Sequence, residues 1–116
     1  MHGAGGGSAL CTRDDSLIRI GDATVKKLVT SIKASKVWQR GKNAIVVVWD
    51  ENDFGKGPNQ VVALVDTNYG KHGVSSKTPY SHFSLLKTLE AGFKLPCLNH
   101  ACDANVNLMS ELFQGS

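Results

Sequence analysis

An α/β domain with a mostly parallel sheet flanked by helices is the fold class this sequence predicts. Three observations carry it. Ala44 to Trp49 reads AIVVVW, six apolar residues without a polar break, the pattern of a strand covered on both faces. Val61 to Val65, VVALV, repeats that pattern in a shorter form. On either side lie stretches whose apolar residues recur at helical spacing.

In chain order, residues 1–21 read as a loop-like segment, Gly-rich and then polar. GAGGG is not a phosphate loop, because it lacks the GK[ST] ending and a preceding strand. Asp22 has the side chain of an N-cap, and Val25, Leu28, Val29 and Ile32 fall at i, i+3, i+4 and i+7. That spacing predicts one amphipathic helix over about 23–35. Trp38 and an RGKN turn then lead into the first strand, and FGKGPN forms the loop before the second. TNYGKHGVSSKTPY is polar and rich in Gly and Ser, long enough to be a functional loop. The next helix spans about 81–93, with Leu85, Leu86, Leu89 and Phe93 on one face and Gly92 near its end. After Pro96 and Cys97, Asp103 is expected to cap a last helix that turns Val106, Met109, Leu112 and Phe113 inward.

A chain of 116 residues is the size of one small domain. With 41% hydrophobic and 20% charged residues it has the composition of a folded protein, which excludes wholesale disorder. The net charge of +3 is spread over Lys26, Lys27, Lys33, Lys36, Arg40 and Lys42 around the predicted first helix, a solvated face without interleaved aromatics, so no nucleic-acid partner is expected. No apolar run reaches the ~18 residues of a membrane span. The opening MHGAGGGSAL lacks the basic and apolar regions of a secretory signal. Cys97 and Cys102 bracket a short loop, LPCLNHAC, compatible with a local disulfide or with two half-buried thiols, and Cys11 stands apart. A zinc site from Cys97, His100 and Cys102 would lack a second ligand pair at finger-like spacing.

The residues with most chemical potential follow the first strand. Asp50, Glu51 and Asp53 crowd its end, and in open α/β sheets ligands bind beyond such strand ends. Adjacent carboxylates repel one another and need a cation, an arginine or backbone donors. Oxygen donors suit Mg²⁺, Ca²⁺ or Mn²⁺, and mixed Asp and His sites suit Zn²⁺ or Fe, so a divalent metal is expected without its identity being fixed. His72, His82 and His100 lie in or beside loops after the strands and are candidate site-lining residues, as is Asp53. The competing interpretation is that Asp50 to Asp53 caps a strand and turns the chain.

WDENDF, taken with YSHFSLLKTLEAGFKLPCLNHACD, resembles the C-terminal part of the bacterial phosphoesterase family of acid phosphatases and phospholipases C. The resemblance runs from about Asp14 to Phe113 and includes IGDATVKKLVTSIKASKVWQRGKNAIVVVWDEND, so residues 1–116 are expected to be a single, partial phosphoesterase domain. It implies the C-terminal part of an alkaline-phosphatase-like fold, with Asp50 and Glu51 matching the acidic pair that helps hold a catalytic divalent metal. His82 matches a histidine of the family's C-terminal helix motif, and His2 and Gly3 resemble the end of an Asp-Met-His-Gly segment. The implied activity is hydrolysis of a phosphoester small molecule or a phospholipid by an exported protein, secreted or periplasmic. The family's N-terminal portion, with its metal-binding Glu-Asn pair and its Ser or Thr nucleophile, has no counterpart here. Ser75 and Ser76 are the weak serine candidates that remain, and no catalytic residue is assigned. Two functions therefore follow as expectations: a fragment of a metal-dependent phosphoester hydrolase that works once the missing N-terminal half is restored, or a non-catalytic metal-binding or interaction module.

Overall fold

The structure, a computed structural model, describes residues 14–52 and 57–113, and Asp53, Cys11, His2 and Gly3 lie outside them. The chain divides into two compact units, Met1–Asn68 and Tyr69–Ser116.

The first unit opens with helix α1, Asp14–Lys33, which begins well before the expected start. Asp22 is therefore an interior residue, not the N-cap, and the loop-like assignment of residues 1–21 is corrected from residue 14 onward. SLIRI supplies residues compatible with a helix, and Asp15 sits near its positive N-terminal end, where a carboxylate is favoured. Val25 and Val29 are half-buried, yet Leu28 is 58% exposed and Ile32 is also exposed, so only part of the predicted apolar stripe is covered.

Strands β1, Ala44–Val48, and β2, Ala63–Thr67, form an antiparallel pair with Val46 opposite Val65. The unbroken apolar run predicts a parallel partner instead. A parallel pair needs a crossover, usually helical, whereas residues 49–62 contain no helix among those described and return the chain directly. Trp49 N–H donates to Val62 O at 3.1 Å and Asn68 N–H to Asn43 O at 3.1 Å, extending the ladder at both ends. Within this chain the strands are not covered on both faces: Ile45, Val46 and Val47 are only half-buried, and Val48 and Leu64 are exposed.

Two asparagines shape the entry to this hairpin. Asn43 Nδ2 donates to the carbonyls of Val37, Trp38 and Arg40, closing the turn before β1. Asn68 Oδ1 accepts the Asn43 N–H at 2.7 Å while its Nδ2 donates to the carbonyls of Trp38 and Gly41. Gly41 sits at φ 71°, a left-handed conformation that glycine adopts without strain. Trp38 is buried under this network, and Lys33 Nζ lies 5.8 Å from its ring and 2.7 Å from Asp66 Oδ2, linking α1 to β2.

The second unit is organised by helix α2, His82–Phe93. Ser81 is its N-cap, and Ser84 Oγ, fully buried, accepts the Ser81 N–H at 3.0 Å. At the other end Leu95 N–H donates to Glu90 O and Lys94 N–H to Ala91 O, with Lys94 itself left-handed at φ 55°. This is a Schellman closure built on a lysine, and Gly92 lies inside the helix. The buried positions of α2 are Ser84 and Glu90, whereas Leu89 and Phe93 of the predicted apolar face are exposed, Phe93 at 73%.

Cys97 and Cys102 are disulfide-bonded, which selects one of the two states the sequence left open. The expected last helix shrinks to α3, Ser110–Phe113. Residues 106–109 are instead held in a non-helical run against α2: Lys87 Nζ donates to Val106 O at 2.7 Å, and Met109 N–H donates to Thr88 Oγ1 at 2.9 Å. Asn107 Nδ2 donates to Pro79 O at 3.0 Å, and Met109 is buried. Backbone groups that a helix would pair internally are thus satisfied by side chains.

Candidate functional site

In the first unit β1 delivers Trp49, Asp50 and Glu51 in succession. Asp50 is exposed and Glu51 half-buried. The backbone just beyond them is fixed, since Asn52 N–H donates to Asn59 Oδ1 at 2.8 Å and Asn52 Nδ2 to Pro58 O at 3.1 Å. Two neighbouring carboxylates are the donor chemistry a hard divalent cation takes, but they supply two of the roughly six ligands such an ion needs. The acidic pair thus fits part of a metal site. Asp53, the third carboxylate of the cluster, lies outside the described residues.

In the second unit the start of α2 and residues 100–107 enclose a shallow open pocket of about 430 Å³. Tyr80, Phe83 and Ser84 line one side, and His100, Asp103 and Val106 the other. His100 Nδ1 lies 3.0 Å from Asp103 Oδ2, so the ring nitrogen donates to the carboxylate and Nε2 is left as the other proton-exchanging atom. The Phe83 ring stands edge-on to the imidazole, with centroids 6.0 Å apart, and helps set its plane. A turn in which Asp103 N–H donates to His100 O at 3.2 Å keeps the pair together. An imidazole oriented by a carboxylate at the rim of a pocket can take or give a proton. Both side chains are more than half exposed, so the pair contributes little to stability.

His72 and His82 do not line this pocket, and His82 is the first residue of α2. Asp50 and Glu51 belong to the first unit and the three histidines to the second. From its sequence context Asp103 is a helix cap, and Glu90 does not stand out. The His-x-x-Asp spacing of 100 and 103, one turn apart, was the available signal for the first. For the second it was Glu90's position four residues after Leu86, on the side of α2 expected to be apolar.

Ser76, one of the serines of the long loop, donates its hydroxyl to Glu111 Oε1, as does Tyr80. The hydroxyl of Ser76, and after it those of Tyr80 and Thr78, hold the Glu111 carboxyl below its usual range. Such a carboxylate is a poor proton acceptor, so the cluster acts as a clamp between the loop and α3 rather than as an activated nucleophile.

Comparison with known proteins adds one similarity to this geometry. The chain resembles part of a phosphatase. Over 94 residues it is 34% identical to phosphatidylinositol-3-phosphatase of Mycobacterium tuberculosis, a match that takes in 78% of this chain and 29% of that protein. The chain thus spans less than a third of the length of the curated relative it matches. No family model matches the chain, and no solved structure matches it.

Proposed function

We propose that this chain is one part of a metal-dependent phosphoester hydrolase with an alkaline-phosphatase-like fold, contributing the carboxylates of Asp50 and Glu51 to a divalent-metal site. The observation that carries the proposal is the similarity over 78% of the chain to a phosphatase, which is the class the WDENDF and YSHFSLLKTLE strings also resemble. A metal bound there would polarise phosphoryl oxygens. The chain's own task is to hold Asp50 and Glu51 at the end of β1, with Asn52 and the loop through Asn59 fixing the backbone behind them. The nucleophile and the remaining ligands would come from a segment outside this sequence, in keeping with the small share of the relative that the chain covers.

The half-covered state of the first unit supports the same proposal. Leu28, Ile32, Val48, Val62 and Leu64 are exposed on the helix and hairpin that carry the acidic pair, and apolar surface of this kind is stabilised by burial against further elements. The substrate we propose is a phosphomonoester, with phosphorylated inositol lipids the first class to try. Export to an oxidising compartment belongs to this proposal and is supported by the Cys97–Cys102 bridge.

The test is release of inorganic phosphate by the protein translated from the complete reading frame around the Met1 codon. Phosphatidylinositol 3-phosphate in mixed micelles and a soluble aryl phosphate serve as substrates, each with Mg²⁺, Ca²⁺, Mn²⁺ or Zn²⁺ and with a chelator. Metal-dependent release is expected from at least one of them. No release from either substrate with any of the four ions would overturn the assignment.

A further inference from the structure

Glu90 is 3% exposed, and its two carboxylate oxygens have unequal surroundings. Oε1 accepts the Leu98 N–H at 2.8 Å, while Oε2 is buried and has no hydrogen-bond partner among the described residues. An unpaired buried carboxylate oxygen is costly, so something that supplies positive charge or a donor at that point would be stabilised there. The same carboxyl group faces the bridge: a Glu90 carboxylate oxygen, Cys97 Sγ and Cys102 Sγ all lie within 4.8 Å of one another.

We propose that opening the Cys97–Cys102 bridge converts this cluster into a binding site for a thiophilic divalent cation of the Zn²⁺ class, ligated by two thiolates and the Glu90 carboxylate. Zn²⁺ accepts such a mixed sulfur and oxygen set at about 2.0–2.3 Å per bond and leaves a fourth tetrahedral position for water. The scaffold is already placed. Glu90 is anchored in the last turns of α2 and oriented by the Leu98 N–H, a support of the kind that fixes metal ligands. The loop between the cysteines is held by Ala101 N–H donating to Leu98 O at 3.1 Å, by left-handed Asn99, and by the fully buried Ala101. His100, which the sequence offered as the third ligand, is turned to Asp103 instead, and Glu90 takes its place.

The opening step needs an external dithiol reductant. One of its thiolates attacks a bridge sulfur, the Cys97–Cys102 bond breaks, and the reductant's second thiolate resolves the mixed disulfide. Two electrons and two protons end on Cys97 and Cys102, and the reductant leaves as its own disulfide. The cation then displaces the two thiol protons, and the oxidised bridge, whose sulfurs are bonded to each other, excludes it.

The experiment is a Co²⁺ titration of the full chain, followed by the sulfur-to-metal charge-transfer band and its displacement by Zn²⁺, before and after reduction with a dithiol that is removed by gel filtration. The expected result is a sulfur-to-metal band that saturates at one equivalent in the reduced chain and is absent from the oxidised chain. Glu90→Gln should weaken binding by more than about tenfold. A reduced chain that gives no band, or a Glu90→Gln chain that binds as tightly as the parent, would overturn the proposal. A readout that needs no variant is alkylation of the reduced parent chain: Zn²⁺ should slow modification of Cys97 and Cys102 relative to Cys11. Equal rates at all three cysteines with and without Zn²⁺ would contradict the site.

Discussion

The two units of this chain are held together by different means. The first is made of regular elements, a 20-residue helix and a hairpin, whose apolar residues are left largely half-covered. The second has one substantial helix, and its irregular backbone is tied down by side chains: Ser84, Lys87 and Thr88 from α2, Asn107, the Glu111 clamp and a disulfide. Apolar area is non-directional and can be completed by any matching surface, whereas polar ties are satisfied in one geometry. The unit carrying the acidic pair therefore has apolar surface that a matching surface would cover. The unit carrying the pocket is suited to keeping its own shape.

That contrast can be broken at graded strengths. The largest effect is expected in the first unit at Asn68, because its side chain makes three hydrogen bonds to the turn before β1. Asn68→Ala should lower stability by about 2–3 kcal/mol, measured by urea denaturation. A loss under about 0.5 kcal/mol would show that the hairpin does not depend on this network. In the second unit, removing the bridge with Cys97→Ser and Cys102→Ser together should cost about 2 kcal/mol, the amount expected for closing a short loop.

Ser84→Ala removes the buried acceptor of the Ser81 N–H and should cost about 1 kcal/mol, visible as a lower urea midpoint with an unchanged slope. The Glu111 clamp gives the second unit a pH dependence of known sign. A carboxyl held below its usual value of 4.5 binds its proton less readily in the folded chain than in the unfolded one. Its contribution is present above that value and is lost as pH falls through the lower folded value. Stability should drop on acidification below about pH 4.5, and Glu111→Gln should flatten that drop. An unchanged acid limb would mean the Ser76 and Tyr80 contacts do not persist in solution. The smallest effect is a gain: Lys94→Gly relieves a left-handed lysine and should stabilise by about 1 kcal/mol.

The same contrast explains what could be read from the sequence. The strands and α2 were legible to within two residues, because a run such as AIVVV or the Leu spacing of 85, 86 and 89 reports local structure directly. The start of α1 was not, because Asp22 looks like a cap while the helix passes through it. Strand direction was not legible either, since an apolar run reports cover and not the course of its connection. The last helix failed because its backbone is claimed by the side chains of Lys87 and Thr88, about twenty positions upstream, while the Asn107 side chain is tied to Pro79 O. Asp50 and Glu51 are legible as an acidic pair just after a strand, since β1 ends at Val48, and their role as metal ligands belongs to the proposal. Glu90 was hidden because a single acid in an otherwise leucine-rich helix resembles a solvated residue until its burial is known.

In the proposed hydrolase, Asp50 and Glu51 hold the metal. The most direct measurement compares phosphate release by the protein from the complete reading frame with release by its Glu51→Gln form, each titrated with the divalent ion that supports activity. Glu51→Gln should lose more than about a hundredfold in activity at limiting metal and recover part of it at high metal concentration. Equal activity of the two proteins across the titration would contradict that role.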